Sequence, residues 1–276
     1  MTYALYLLIF LGSAIAVLVA LTVRDHARHP GFMPYVVLLG HILVAVAYTT
    51  PWDNYLVASG VWWYDPARVI GLTFGWVPVE EYSFFALQTL MTGLWLIWLR
   101  RRLELPSQER RALGCAPESR QRRRGIVTRL TWRWRPWKPG LLVALSAGAI
   151  WAAALLVLFT GWAPGTYLAL EAGWFLPPII LQLVVGADLL WRERRLVLLA
   201  LLLPIAYLVA SDAIAIGQGV WTISPQHSVG ILLGNVLPIE ELLFFALTNI
   251  LIAFGMTLVL AVCEQEGRTQ PALSLH

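Results

Sequence analysis

Charge is what this sequence has least of. Only 13% of its 276 residues are Asp, Glu, Lys or Arg, against roughly 25% in a soluble domain. With 59% hydrophobic residues, the composition moves the whole chain into the membrane class. Lysine is nearly absent, and Lys138 is the only one. A seven-helix protein that ties retinal through a Schiff base needs a lysine in its last helix, so that class is excluded. Cysteine is scarce too. Cys115 and Cys263 make no CxxC and no Cys/His metal spacing, which supports neither a disulfide framework nor a zinc site. Two unpaired thiols are expected, and no metal. There is no GxGxxG and no P-loop, the signatures of a bound nucleotide.

The long apolar runs are what is there. A helix needs about 20 apolar residues to cross a bilayer, and seven segments qualify: Tyr3–Val23, Phe32–Thr50, Pro78–Leu99, Leu141–Thr160, Trp174–Trp191, Leu196–Ser211 and Leu237–Val262. The first lacks a basic start and an evident cleavage site, so it reads as a span rather than a removable leader. The 14 Trp residues suit anchoring at a bilayer interface.

The cations orient the chain. Of 20 Lys and Arg residues, 13 fall between Arg100 and Lys138, and 12 of these are Arg. With the N-terminus outside, the inner side holds these 13 together with Arg24, Arg28, Arg192, Arg194, Arg195 and Arg268, and only Arg68 is outside. Lys and Arg favour the cytoplasmic side, so the expectation is a multi-pass cell-membrane protein, N-terminus outside and C-terminus cytoplasmic. The central stretch, including Arg120–Gly125 with Trp132, Trp134 and Trp137, reads as a cytoplasmic linker lying against anionic lipid. No nucleic-acid partner is expected.

Two outer stretches match each other. One begins at Asp53 and the other at Asp212. Asp53/Asp212, Gly60/Gly219, Trp62/Trp221, Pro66/Pro225, Gly71/Gly230 and Gly75/Gly234 all keep an offset of 159. After one inserted residue, Pro78/Pro238, Glu80/Glu240, Glu81/Glu241, Phe84/Phe244 and Phe85/Phe245 follow at 160. The expected fold is therefore an all-α integral membrane protein, with seven transmembrane helices as two parallel three-helix repeats joined by a linker helix. The expected boundaries are residues 1–100 for the first repeat, 101–170 for the basic linker and fourth helix, 171–263 for the second repeat and 264–276 for a cytoplasmic tail.

Each repeat carries PxEExxFFAL. Proline fits a first helical turn, and acids there complement the helix dipole, which would be reason enough for Glu80, Glu81, Glu240 and Glu241. Their duplication at membrane depth, where an acid is costly, points to function instead. Residues i and i+4 share a helix face, which sets Glu80 beneath Phe84 and Glu81 beneath Phe85, with Glu240/Phe244 and Glu241/Phe245 alike. Two adjacent carboxyls in a dry setting do not both ionise easily. A protonated carboxyl beside aromatic faces can protonate an apolar double bond, and the rings would steady the cation. A neighbouring carboxylate can take a proton back. Which glutamate of each pair donates is not separable from sequence. Packing or lipid contact is the plain alternative for the phenylalanines.

Asp53 and Asp212 are expected to close the second and sixth helices, either tuning the glutamates or serving as interfacial acids. Trp62 and Trp221 line a substrate cleft or anchor the interface. His41 and Asp188 are expected in interhelical hydrogen bonds. Tyr48 and Tyr207, also 159 apart, read as packing or interface residues, and Asp65 and Arg68 as loop residues.

The duplicated PxEExxFF, each copy preceded by Asp and a Gly-Val-Trp loop, resembles the membrane-integral lycopene β-cyclases, over roughly residues 1–100 and 170–263. Members occur as two small homologous subunits or as one fused chain, and this would be the fused form. The resemblance implies conversion of linear lycopene to ring-ended carotene without net redox change and without a cofactor. It carries the family's acidic motif onto Glu80, Glu81, Glu240 and Glu241. The implied partners are a hydrophobic carotenoid, the lipid bilayer and other carotenoid enzymes. The outer loops depart from one another, VWWYDPAR against VWTISPQH, so the halves need not be equivalent. Water capturing the same cation would make the protein a carotenoid end-group hydratase. A small-solute transporter of 3+1+3 helix architecture is the other alternative. A sugar path would need polar residues mid-helix in both halves, whereas Gln88, Gln182 and Asn249 stand scattered among apolar ones.

Overall fold

The structure is a computed structural model that describes residues 1–26, 32–112 and 138–269. Cys115, Arg120–Gly125 and the three linker tryptophans lie outside the described residues. Among the described residues seven helices are long and apolar enough to cross a membrane. They are α1 (Tyr3–Arg24), α2 (Met33–Ala58), α3 (Val79–Ala112), α4 (Lys138–Thr160), α5 (Thr166–Arg192), α6 (Arg194–Gly217) and α7 (Ile239–Thr269). The chain is not wholly helical. Six short strands, β1 (Trp62–Tyr64), β2 (Thr73–Phe74), β3 (Val77–Pro78), β4 (Trp221–Ile223), β5 (Leu232–Leu233) and β6 (Leu237–Pro238), build the loops after α2 and α6.

Two helices run further than hydropathy suggests, which corrects the expected placing of Asp53 and Asp212 at helix ends. Both lie inside, because α2 and α6 stop only where a glycine adopts a left-handed conformation, Gly60 at φ 71° and Gly219 at φ 68°. The amides of Gly60 and Val61 bond back to Val57 O and Leu56 O at 3.1 and 3.0 Å, and those of Gly219 and Val220 to Ile216 O and Ala215 O at 2.8 and 3.0 Å. This paired closure of orphan carbonyls is a Schellman cap, with Val61 and Val220 buried beneath it. A third helix, α5, begins at Thr166 and not at Trp174, so it contains two residues, Tyr167 and Glu171, that a search for charge-free windows leaves out.

In lipid a freed backbone carbonyl needs a donor from within the protein. Pro177 and Pro178 inside α5 cannot donate to the carbonyls four residues back. Those carbonyls are taken from neighbouring helices: Trp151 Nε1 on α4 donates to Gly173 O at 3.0 Å, and Tyr48 Oη on α2 donates to Trp174 O at 2.7 Å. Tyr207 on α6 does the same to Phe10 O at 2.8 Å, inside a π-helical turn, Leu7–Gly12. Tyr48 and Tyr207 thus hold helices together through their hydroxyls. His41 and Asp188 do not, contrary to expectation. The His41 Nδ1 pairs at 2.8 Å with Val37 O one turn back, and Asp188 reaches only Arg192, 3.5 Å away on the same helix and half-exposed.

Helices α3 and α7 form the middle of the bundle. Gln88 Nε2 donates to Thr248 Oγ1 at 2.8 Å, and Thr92 Oγ1 to Asn249 Oδ1 at 2.6 Å, across their contact. Helices α1 and α2 pack on α3, α5 and α6 on α7, and each side crosses over, α6 to α3 and α2 to α7, while α4 packs on α5. The loops after α2 and α6 are joined the same way. Strand β1 pairs antiparallel with β4, Trp62 facing Ile223 and Tyr64 facing Trp221. Ser224 N donates to Val61 O at 2.8 Å and Asp65 N to Val220 O at 3.4 Å at the two ends of this ladder. Tyr48→Phe is expected to lower stability by about 1 kcal/mol, the scale of an interhelical hydrogen bond in a membrane protein. Unfolding followed in detergent micelles tests this, and an unchanged transition would show that Trp174 O has another donor.

Candidate active site

The loop caps decide what the two glutamates of each pair do. Residue Glu80 starts α3, and its Oε1 accepts the Ile70 amide at 2.6 Å. The equivalent Glu240 accepts the Val229 amide at 2.7 Å and the Ser228 hydroxyl at 3.1 Å. These carboxyls are tied to the loops that precede α3 and α7. One residue on, a helical step of 100° turns Glu81 and Glu241 elsewhere. The Oε2 of Glu81 accepts from Tyr3 Oη at 2.6 Å and Tyr64 Oη at 3.0 Å. The Oε1 of Glu241 accepts from Tyr167 Oη at 2.8 Å.

Both Glu81 and Glu241 open into one pocket of about 30 Å³, which Asp212, Trp62, Trp221, Phe84, Phe244 and Phe245 also line. All eight side chains are buried, and so is Phe85 outside the lining, so none of the four motif phenylalanines is lipid-facing. Asp212 accepts from Trp221 Nε1 at 3.1 Å, and its carboxyl lines the pocket together with that of Glu241. The rings interlock between the halves. The Tyr3 ring lies 4.9 Å from Trp221, and Tyr167 lies 5.5 Å from Trp62 in an edge contact. Trp52 stacks on Phe244 at 5.7 Å and meets Trp62 edge-on at 5.5 Å.

Of the residues expected from sequence, Asp53, Glu80, Glu240 and Phe85 stand outside the pocket lining. Asp53 is fully buried, and neither of its oxygens has a hydrogen-bond partner. The sequence reading missed Tyr3, Tyr64, Tyr167 and Glu171. The tyrosines look like interface anchors, and nothing local connects Tyr3 to a glutamate 78 residues away. An alignment of the repeats carried back to Tyr3/Tyr167 would have found them, since their amides bond the equivalent carbonyls Arg68 O and His227 O at 2.8 and 3.0 Å. Glu171 is 0% exposed, and both its oxygens lack hydrogen-bond partners. It lies on α5 one turn from Tyr167, where the first half has Leu7 one turn from Tyr3.

The halves differ at a second place. Tyr64 has Ile223 as its counterpart 159 residues on, so Glu81 receives two phenol bonds and Glu241 one. Tyr64 lies in the outer loop. Burial pushes its phenol well above the usual value, and negative charge on Asp53 and Glu81 pushes the same way, so it stays a donor at neutral pH. Nearby, Asp65 caps its own turn. Its Oδ1 accepts the Ala67 amide and its Oδ2 the Arg68 side chain, at 2.9 and 3.0 Å, which hold its carboxyl below the usual range. No group of three or more His, Cys, Asp or Glu among the described residues is arranged to hold a metal ion.

The arrangement defines a class: a multi-helix membrane protein with acids from two halves of the chain in one aromatic pocket. A family model described as Lycopene cyclase matches residues 2–99 and 164–260. The chain is 37% identical over 243 residues to Lycopene beta-cyclase of Halobacterium salinarum, covering 87% of this chain and 90% of that protein. It is 33% identical over 247 residues to the Bifunctional lycopene cyclase/phytoene synthase of Phaffia rhodozyma, covering 85% of this chain and 32% of that protein. The bifunctional protein of Aspergillus oryzae is 32% identical over 229 residues, covering 81% of this chain and 35% of that protein. No solved structure matches significantly. The chain belongs to the lycopene cyclase family.

Two predictions follow from this geometry. Glu240→Ala leaves the Val229 amide without its carboxylate, and hydrogen bonds to charged groups are worth roughly 1.5–3 kcal/mol. Exchange of that amide is expected to quicken at least about tenfold, and unchanged exchange would show that the loop closes without the glutamate. Glu171→Leu, which restores the residue of the first half, is expected to raise stability by about 1–3 kcal/mol by removing an unpartnered buried polar group. A lower unfolding temperature would mean that Glu171 has a partner after all.

Proposed function

We propose that this protein cyclises the ends of lycopene in the cell membrane, with Glu81 and Glu241 as proton donors. The observation that carries the reading is the single aromatic pocket into which these two glutamates open. The names of the relatives, over most of this chain, support the substrate.

In this reading a carboxyl proton passes to the terminal double bond of the polyene and leaves a tertiary carbocation. The double bond between C5 and C6 attacks that cation and closes a six-membered ring. Loss of the C6 proton to a carboxylate sets the final double bond. One proton enters and one leaves, so the product has the mass of the substrate and no redox cofactor or metal is required. The tyrosine bonds on Glu81 and Glu241 fix each carboxyl, leaving an oxygen to deliver the proton. Rings of Trp62, Trp221, Phe84 and Phe244 face the cation. Asp212, against Glu241, and Asp53, on the first side, are suited to return protons to their glutamates. Glu80 and Glu240 serve by holding the loops that exclude water from the cation, whose capture would give a tertiary alcohol instead.

The same reading takes the chain as two parallel three-helix repeats, residues 1–100 and 171–263, with 101–170 between them and 264–276 as a tail. Repeat-equivalent contacts to Glu81 and Glu241, and the double match to the family, support it. The inner excess of arginine supports N-terminus outside and C-terminus inside. The bilayer then acts as the substrate reservoir, and other carotenoid enzymes are the expected partners.

The test is expression in cells that accumulate lycopene, with pigments separated and weighed by mass spectrometry. A ringed product of unchanged mass is expected. General acid catalysis contributes roughly 10²–10⁴-fold, so Glu81→Gln and Glu241→Gln are each expected to cut ring formation on that scale at equal protein level. A gain of one water per end would move the protein to the hydratases. Wild-type product from both variants would remove the glutamates from the mechanism.

A further inference from the structure

A second space lies deeper in the bundle, between α2, α3, α5 and α7. It measures about 210 Å³ and its wall is chiefly apolar. Phe85 and Phe175 line its outer end. Both rings touch Phe244 of the acidic pocket, at 6.3 and 6.0 Å. From Glu81 to Gln88, which lines the space, is seven residues along α3, roughly 10 Å of helix rise. The polar side chains of the wall bond the scaffold in part: His41 pairs with Val37 O, Gln88 Nε2 donates to Thr248 Oγ1 and Gln182 Nε2 to Leu251 O, while Gln88 Oε1 and Gln182 Oε1 have no hydrogen-bond partner among the described residues. Val44 lines the space and is 66% exposed on the outside of the bundle, where the seven-span reading puts lipid. The space therefore opens sideways towards the bilayer beside α2.

The duplicated positions show why it is open on this side. A Cβ at Gly255 on α7 would lie 2.6 Å from His41 Nε2 and 3.2 Å from Gln182 Nε2, so the missing side chain lets these two wall residues sit against α7. At an offset of 160, Gly255 corresponds to Trp95 on α3. The indole of Trp95 donates to Leu199 O on α6 at 2.9 Å and stacks on Trp98 at 5.2 Å. The Leu199 it bonds precedes Ala200, which corresponds to His41 at an offset of 159. A passage beside α2 is thus open where its counterpart beside α6 carries an indole.

Resting on the cyclase reading, the geometry points to this space between α2, α3, α5 and α7 as the binding site for the linear hydrocarbon polyene. The chain enters from the lipid past Val44 and lies along Phe85 and Phe175 while one end group sits at Glu81 and Glu241. Two acids thus serve one end at a time. A product with two rings requires the one-ring intermediate to leave and return reversed.

The experiment uses the full chain in lipid vesicles supplied with lycopene, scoring both ring formation and lycopene retained by the purified protein. Gly255→Trp copies the closed side, and Val44→Trp obstructs the mouth from an exposed position that leaves the bundle interior untouched. Leu145→Trp, exposed on α4, is the control. Both passage variants are expected to retain at least about tenfold less lycopene and to form rings at least about tenfold more slowly, with the control unchanged. The one-ring product is expected to accumulate before the two-ring product. Wild-type retention and rate in Val44→Trp and Gly255→Trp, with an active wild type, would overturn the passage and leave the cyclase reading standing. A wild type that retains lycopene but makes no ring would overturn the cyclase reading, and retention by the variants would still decide the passage. A wild type that does neither overturns both.

Discussion

Everything in this molecule depends on keeping carboxyl groups away from water. Glu80, Glu81, Glu240, Glu241, Asp53, Asp212 and Glu171 are all buried, and among the described residues none of these seven forms an ion pair within 4 Å. Their surroundings are hydroxyls, amides and aromatic rings. A buried acid in such a place is expensive to maintain, and the rest of the architecture answers that cost: tyrosines brought from distant helix starts, loop amides turned inward, and a short sheet laid over the top.

The two glutamates of the motif divide the labour because they are adjacent. One helical step separates a carboxyl that closes a loop from one that opens into the pocket. The closing of the loop and the lining of the pocket are therefore carried by neighbouring residues on the same first turn of a helix. That first turn also offers unsatisfied amides and the positive end of the helix dipole, a setting that holds acids in position.

Much of this was legible beforehand. Hydropathy gave the seven spans, because length and apolarity are local properties. The repeated PxEExxFF marked the two helix starts whose Glu81 and Glu241 line one pocket. What was hidden is of two kinds. Helix ends set by a left-handed glycine do not show in hydropathy, so Asp53 and Asp212 were placed at helix ends when they lie inside. Contacts between remote segments leave no local pattern: Tyr3 with Glu81, Tyr167 with Glu241, and β1 with β4 were invisible for that reason. Glu171 was passed over because a charge in an apolar run argues against a span, although here it lies inside one.

The lid has a consequence of its own. Each half carries one strand of the β1–β4 pair, and each strand finds its partner only in the other half. A half produced alone would present an open strand edge, with bare amides and carbonyls beside its tryptophan, and an open edge invites pairing with whatever matches it. The lid is thus also a matching device, since three residue pairs in register hold the two parts of the chain to each other rather than to a stranger.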